Sequence, residues 1–348
     1  MKVIEQNAVL LDTTGMTPYQ IIERVGRTCY KSEENITEDS APKFVARLYR
    51  DGHHAMLEFG YVYVKITDLD LLNFIIDTSE TSYLRYIENY VVGSLRAFYD
   101  WLKYLFNASQ KYESTHDFVE ECKTELLDFI WGLSELYPEI FHAMYDEFCA
   151  EFDENHHYSD HDIKAEDVTN PFKFMSREEF IKSMKNDCVE DCCLSHMLPH
   201  VMLFTTDRGI THELVRHRPC SFAMESTRYC NYGKDKFGGE LTIIAPCFAN
   251  TGDAGSIRAR NLIWELGMEE AEKNYLRLLQ FGATPEQARD ALPHAVKADL
   301  WMCATEDEWQ HIINLRYHEN TGKAHPKMTA LMEIAYPQLY KASEGRIR

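Results

Sequence analysis

Hydrophobic and polar positions change period several times along the chain, and each change predicts an element. Thr17-Pro18-Tyr19-Gln20 supplies a cap, a proline suited to the first helical position and a glutamine that can close a capping box, so a helix begins there. Ser40 and Pro42 open a second helix, which Gly52 ends. Residues 60–66, GYVYVKI, are β-branched and aromatic, as strands are. From 115 to 152 apolar residues recur at helical spacing, with Phe118, Cys122, Leu126, Phe129, Ile130 and Leu133 on one face. A polar loop dense in Asp and His follows over 153–167, then a turn at Thr169-Asn170-Pro171 and a helix over 176–185.

The pattern resets near His196. Residues 199–206 and 241–245 read as strands, and Asp207 can cap a helix that runs through His212, Glu213 and Leu214 into the Arg216-His217-Arg218 triplet. Residues 257–281 predict a long helix, and 326–341 a last one. Thr284-Pro285-Glu286-Gln287 repeats the capping pattern ahead of a helix carrying Arg289. Thr305-Glu306-Asp307-Glu308 caps another that carries Trp309, His311 and Arg316, with apolar spacing read as helical from Trp301 onward.

Charge divides the chain more sharply than hydropathy does. The formal net charge is −20, but residues 67–194 hold 28 acidic and 10 basic side chains, whereas the rest holds 28 and 26. A near-neutral body is thus interrupted by an acidic insertion, which nucleic acid would not bind because phosphate needs a basic surface. No apolar run approaches the roughly 20 residues that span a bilayer. The first residues lack a signal-peptide pattern, and the ten scattered cysteines suit free thiols in a reducing compartment, so a cytoplasmic protein with no membrane partner is expected.

The chemistry concentrates in Arg216-His217-Arg218-Pro219-Cys220-Ser221-Phe222-Ala223-Met224-Glu225-Ser226-Thr227-Arg228-Tyr229. Three arginines in fourteen residues suit an anionic ligand, and Ser226, Thr227 and Asn231 add short hydrogen-bonding groups for phosphate or pyrimidine edges. No glycine-rich dinucleotide fingerprint or P-loop occurs, so arginines and loop amides would have to hold a dinucleotide.

The order R-H-R, seven residues, then Ser and Thr-Arg-Tyr resembles the signature of flavin-dependent thymidylate synthases. Ala288-Arg289-Asp290-Ala291-Leu292-Pro293 and the stretch 305–316 resemble two further segments of that family, and Gly26-Arg27-Thr28-Cys29-Tyr30 resembles its first helix end. The likeness covers about 1–66 and 195–340. It implies an α+β fold, a small mostly antiparallel sheet packed with long helices, in a discontinuous domain of 1–66 and 195–348 with 67–194 as a mostly helical insertion. It implies FAD contacts from Cys29, Arg216, His217, Arg218, Thr305 and His311. It implies dUMP contacts from Glu213, Glu225, Ser226, Thr227, Arg228, Arg289 and Arg316, with Arg316 and Ser226 as the catalytic pair. The implied reaction makes dTMP by reductive methylation of dUMP, with methylenetetrahydrofolate as carbon donor and NADPH as reductant, in a homotetramer.

Three positions depart from the family pattern. Ala223-Met224 replaces Asn-Glu, Phe59 stands where a histidine follows Glu58, and Glu213 stands where many members have glutamine. Met224 and Phe59 leave open a relative that modifies another pyrimidine nucleotide such as dCMP, and a non-catalytic flavin- or nucleotide-binding protein is a separate alternative. Cys220, beside two arginines, reads as a nucleophile or as a small filler, and the filler is favoured. Cys188, Cys192, Cys193 and His196, and the Asp/His cluster of 153–162, have metal-ligating side chains but no familiar spacing, and no metal is expected.

Overall fold

A computed structural model describes residues 1–79, 83–152, 171–228, 230–234, 238–248 and 252–348. The Asp/His loop of 153–167, most of the following turn and Tyr229 lie outside the described residues. The chain starts with strands β1 (Lys2–Ile4) and β2 (Asn7–Leu10), then helices α1 (Pro18–Tyr30) and α2 (Ser40–Arg50) and strand β3 (Tyr61–Ile66). Next come α3 (Leu69–Thr78), β4 (Arg85–Ile87), β5 (Tyr90–Ser94), α4 (Leu95–Ser109), α5 (Glu113–Glu121), α6 (Lys123–Leu136) and α7 (Pro138–Phe152). After β6 (Phe172–Met175), α8 (Arg177–Asn186) and α9 (Asp191–Met197) lead to β7 (Pro199–Asp207), α10 (Arg208–Leu214), β8 (Ser221–Met224) and β9 (Thr242–Ile244). The last elements are α11 (Ala254–Gln280), α12 (Pro285–Ala288), β10 (Lys297–Thr305), α13 (Glu306–Arg316) and α14 (Pro326–Ala342).

Two compact units emerge. The first contains residues 1–12, 24–35 and 198–348, and the second 13–23 and 36–197. In the first, four antiparallel strands run in the order β2-β7-β10-β8, and β1 pairs in parallel with β9. Helix α14 presents Met328, Leu331, Met332, Ala335 and Leu339, the spacing of one helical face, to a core shared with Trp309, Ile312 and Ile313 of α13 and Met202, Phe204, Leu300 and Met302 of the sheet. Capping follows the sequence at several ends. Thr17 and Gln20 bond each other's backbone amides, Asp207 accepts from the Ile210 amide, and Thr284 and Gln287 close a capping box.

The second unit holds an antiparallel sheet, β4-β5-β3-β6, with α3 to α9. The sequence predicts β3 but not β4, β5 or β6, so the acidic segment carries a sheet as well as helices. The boundary expected at residue 66 falls between β3 and its own partners β5 and β6, because the pairing of Tyr63 with Val92 and Met175 holds β3 in this unit.

One expectation fails inside the first unit. Residues 301–305 are not helical; they end β10, which lies between β7 and β8. A strand flanked on both sides and buried from Leu300 to Thr305 loses the alternation that marks a half-exposed strand, so its apolar run mimics a helix start. Helix α13 begins only at Glu306. Thr305 makes no side-chain cap there, and its hydroxyl donates to Asp307 instead.

Candidate active site

Helix α10 stops at Leu214, so the basic triplet lies just past its C-terminus, where cations meet unpaired carbonyls. Arg218 donates through Nη1 to the Val215 carbonyl and, at 2.9 Å, to the His217 carbonyl, and its guanidinium lies 5.6 Å above the Phe222 ring. Arg216 is exposed, with no side-chain hydrogen bond or ion pair among the described residues. His217 is buried. Its Nδ1 lies 2.9 Å from the Leu214 carbonyl, and its Nε2 accepts from Arg316 Nε at 3.2 Å. That pair of contacts is satisfied by a neutral ring protonated on Nδ1. Burial, reinforced by the Arg316 charge, holds the imidazole below its ordinary pKa against the opposing Leu214 hydrogen bond.

Arg316, at the last position of α13, also lies 3.5 Å from a Glu213 carboxylate oxygen through Nη1. Glu213, Arg316 and His217 therefore form one chain across α10, α13 and the triplet, with His311 close enough to depress the His217 pKa. Arg316 keeps Nη2 without a partner among the described residues. Beside this chain a cavity of about 550 Å³ is bounded by Glu213, Asp207, Phe248, Trp264, His294 and Lys327.

The second half of the motif leaves β8 and turns sharply. Ser226 accepts from the Arg228 amide through Oγ at 3.3 Å and from the Cys230 amide through its carbonyl at 3.0 Å. Thr227 is half-buried in this turn. Arg228 reaches out to Glu286 at the start of α12, with Nε 3.2 Å from the carboxylate and both side chains 55% exposed. Arg289, expected within a helix, follows the single turn of α12 and opens a 3-10 turn over Arg289–Ala291; it is exposed, with no side-chain ion pair among the described residues.

Glu225 points the other way. It is 2% exposed and accepts from Tyr232 Oη at 3.0 Å and Lys297 Nζ at 2.7 Å, with Lys31 Nζ at 3.4 Å. Asp299 accepts from Lys297 at 2.7 Å, from Thr205 Oγ1 at 2.8 Å and from Lys31. Burial alone would raise the Asp299 carboxyl, but Lys297 and Lys31 outweigh it and hold it below the usual range. A ligand-binding Glu225 was expected; its carboxylate is instead filled by protein partners.

Cys29 is buried, and burial pushes its thiol up to about 12 against the opposing charge of Lys31. Thr305 is buried with its hydroxyl turned to Asp307, and His311 is exposed. The structure thus joins Glu213, His217 and Arg316 by direct contacts, and Ser226 with Arg228 by another. No hydrogen bond or ion pair links Arg289 to the Glu213–Arg316–His217 chain among the described residues. Lys31, Lys297 and Asp299 escaped the sequence reading. Lys297 and Asp299 lie two apart and share one face of a strand, a signal visible only once β10 is known to be a strand. Among the described residues no group of three or more His, Cys, Asp or Glu is placed to hold a metal, and no helix is long and apolar enough to cross a membrane.

Comparison with known proteins adds an independent line. The family model of the thymidylate synthase complementing protein matches residues 142–342. That stretch contains every site residue above except Cys29 and Lys31, and it begins inside α7, where the sequence alone suggested no likeness. A flavin-dependent thymidylate synthase from Geobacter sulfurreducens is 28% identical over 109 residues, covering 31% of this chain and 43% of that protein. One from Pyrococcus abyssi is 33% identical over 115 residues, covering 32% and 43%. The chain spans under half the length of these curated relatives. Among solved structures, the UMP/dUMP methylase PolB from Streptomyces cacaoi bound with 5-Br dUMP is 20% identical, covers 48% of this chain and 78% of its own, and has a TM-score of 0.36.

Proposed function

Because the chain belongs to the thymidylate synthase complementing protein family, we propose that it is a flavin-dependent thymidylate synthase, making dTMP from dUMP with methylenetetrahydrofolate, FAD and NADPH in the cytoplasm. The observation that carries this reading is the chain Glu213–Arg316–His217, which turns an arginine at a helix end into a fixed donor. Arg316 Nε and Nη1 are held by protein, and the remaining Nη2 donors are left for a ring that gains negative charge. A preorganised guanidinium of this kind stabilises a pyrimidine anion without reorganising during the reaction. His217 serves as its acceptor only while neutral, a form that its lowered pKa favours.

The donor set suits the pyrophosphate and ring edges of FAD. Arg216 is exposed and unpaired among the described residues, and Arg218 is fixed by carbonyls and an aromatic face. These two would hold the flavin nucleotide, with His311 beside them; when bound, reduced flavin supplies hydride. Ser226, Thr227, Arg228 and Arg289 would hold the dUMP phosphate and sugar. Thr305, its hydroxyl turned to Asp307, and the buried Cys29 would contribute through their place in the frame. Exposed Leu262, Ile263, Leu266, Leu278 and Phe281 on and just after α11 favour self-association, here a homotetramer.

A second reading has one observation in its favour. The Glu213 carboxylate beside the 550 Å³ cavity can only accept hydrogen bonds when ionised, which suits the exocyclic amine of cytosine better than the oxygen of uracil. One assay separates the two. The purified chain, with FAD, NADPH and methylenetetrahydrofolate, is given dUMP or dCMP tritiated at carbon 5. Tritium release from dUMP is expected. Release from dCMP alone would replace dUMP by a cytosine nucleotide, and failure to take up FAD would sink both readings.

A further inference from the structure

The turn that Ser226, Thr227 and Arg228 open after β8 is held at its base. On the entry side, Glu225 is fixed at backbone and side chain together. Its amide donates to the Asp299 carbonyl at 2.8 Å, its carbonyl accepts from Arg208 Nη2 at 3.2 Å, and its carboxylate takes Lys297 and Tyr232. On the exit side, Tyr232 donates its amide to Tyr275 Oη on α11 at 3.4 Å while its own hydroxyl returns to Glu225. Entry and exit are therefore clasped to each other. The clasp rests on two lysines and two carboxylates drawn from α1's end, β8's end and β10.

Burying one charge and half-burying three more is costly, and a hydrophobic replacement of similar volume would often be as stable. Such a cluster needs a reason other than stability, and its position supplies one. Glu225 immediately precedes Ser226, Thr227 and Arg228, and none of Lys31, Lys297 or Asp299 is free to meet a ligand with its charge uncompensated. We propose that Glu225, Lys31, Lys297 and Asp299, closed by Tyr232, are positioning residues that hold the Ser226–Thr227–Arg228 turn ready for a nucleotide phosphate. This rests on the reading of that turn as the dUMP site. The cluster acts through the backbone, so its loss loosens the turn and weakens ground-state binding more than the chemical step.

The test compares the full chain with Tyr232→Phe, Lys297→Met and the double variant Glu225→Gln/Lys297→Met. Amide hydrogen exchange is followed across 225–232, and KM and kcat are measured with dUMP. Tyr232→Phe removes one hydroxyl and keeps the ion cluster, so it decides the matter even if Lys297→Met fails to fold. Its expected outcome is a turn that exchanges faster and a KM for dUMP raised about tenfold, with kcat changed less than about twofold. The double variant leaves neither charge alone and should recover part of the affinity lost in Lys297→Met; no recovery would remove charge pairing as the holder. Unchanged exchange and unchanged KM in Tyr232→Phe would overturn the proposal. If the wild-type chain binds no dUMP, the proposed function falls and exchange alone judges the clasp: faster exchange supports it and unchanged exchange overturns it.

Discussion

The two compact units each contain a four-stranded antiparallel sheet, and what they bury differs. The second unit buries rings. Phe98, Trp101 and Phe129 pack at centroid distances of 6.0 to 6.5 Å, and Phe129 also meets Phe172 and Phe174. Several of its buried hydroxyls turn to nearby backbone, as Ser109 to Phe106 and Ser134 to Trp131. The first unit buries more ionisable groups, Asp207, Glu225, Glu306, His200 and His217, against Glu23 as the buried carboxylate or histidine among the second unit's described residues. Aromatic packing stabilises mainly through buried area, with only a modest orientational preference. Buried charge costs desolvation and returns geometry, so it marks where a chain must hold atoms in place.

The largest test of this contrast pairs one substitution from each unit. Phe129→Ala removes a fully buried ring and is expected to cost about 3–5 kcal/mol. Glu306→Ala leaves Arg346 and His200 without the carboxylate that accepts from them at 2.7 and 2.9 Å, and should cost about 3–5 kcal/mol as well. They part company in acid. Burial pushes the Glu306 carboxyl up, but hydrogen bonds from His200 and Arg346 outweigh it, so its folded pKa lies below the ordinary carboxylate value. Stability from such a group is complete above the unfolded pKa, about 4.3, and is lost as pH falls through the folded value. Denaturant melts should show the Phe129→Ala deficit constant from neutral pH into acid, and the Glu306→Ala deficit shrinking below about pH 4. Parallel deficits would erase the distinction between the units.

Next in size is the site itself. Arg316→Ala should lower turnover of dUMP about 10²- to 10³-fold, the scale of a lost transition-state donor, with little change in FAD content. A fall confined to KM would make Arg316 a binding group instead. The same chain gives a smaller, spectroscopic prediction. His217 carries a depressed pKa, so its ring should titrate by NMR below the ordinary imidazole value. Because the folded value lies below the unfolded one, this group favours the folded state above the ordinary imidazole pKa and loses that contribution as pH falls through the folded value. Arg316→Ala should raise the His217 midpoint, since one nearby positive charge is gone. An unmoved midpoint would show that the 3.2 Å contact with Arg316 carries no weight in solution.

How much of this could be read from the sequence follows the same division. Capped, amphipathic helices announced themselves: α1, α8, α12 and α14 begin at the expected caps or prolines. Strand β10 did not, because burial from Leu300 onward removes its alternation. Nor did β4, β5 and β6, which are short and set within a helical, acidic stretch. The triplet and the Ser226–Arg228 turn were visible as an ordered motif. Their supports were not, since Lys31, Lys297 and Asp299 are ordinary charged residues until tertiary structure brings them from separate segments onto Glu225. Sequence order displays the residues of a motif; it hides the long-range contacts that hold them in place.

The smallest expected effect lies at the exposed end of the comparison. Arg228 and Glu286 pair at 3.2 Å with more than half of each side chain in water, so the pair is worth about 0–1 kcal/mol to folding. Glu286→Gln should leave the melting temperature almost unmoved. It removes a carboxylate that competes for Arg228, so KM for dUMP should stay level or fall slightly, whereas Arg228→Ala should raise it. The opposite signs matter more than their size. Glu225, buried against Lys297, is a carboxylate whose loss should loosen the turn and weaken binding, while Glu286, facing water, is one whose loss should free the arginine. If both carboxylates change KM in the same direction, burial no longer separates the groups that aim this turn from those that merely attend it.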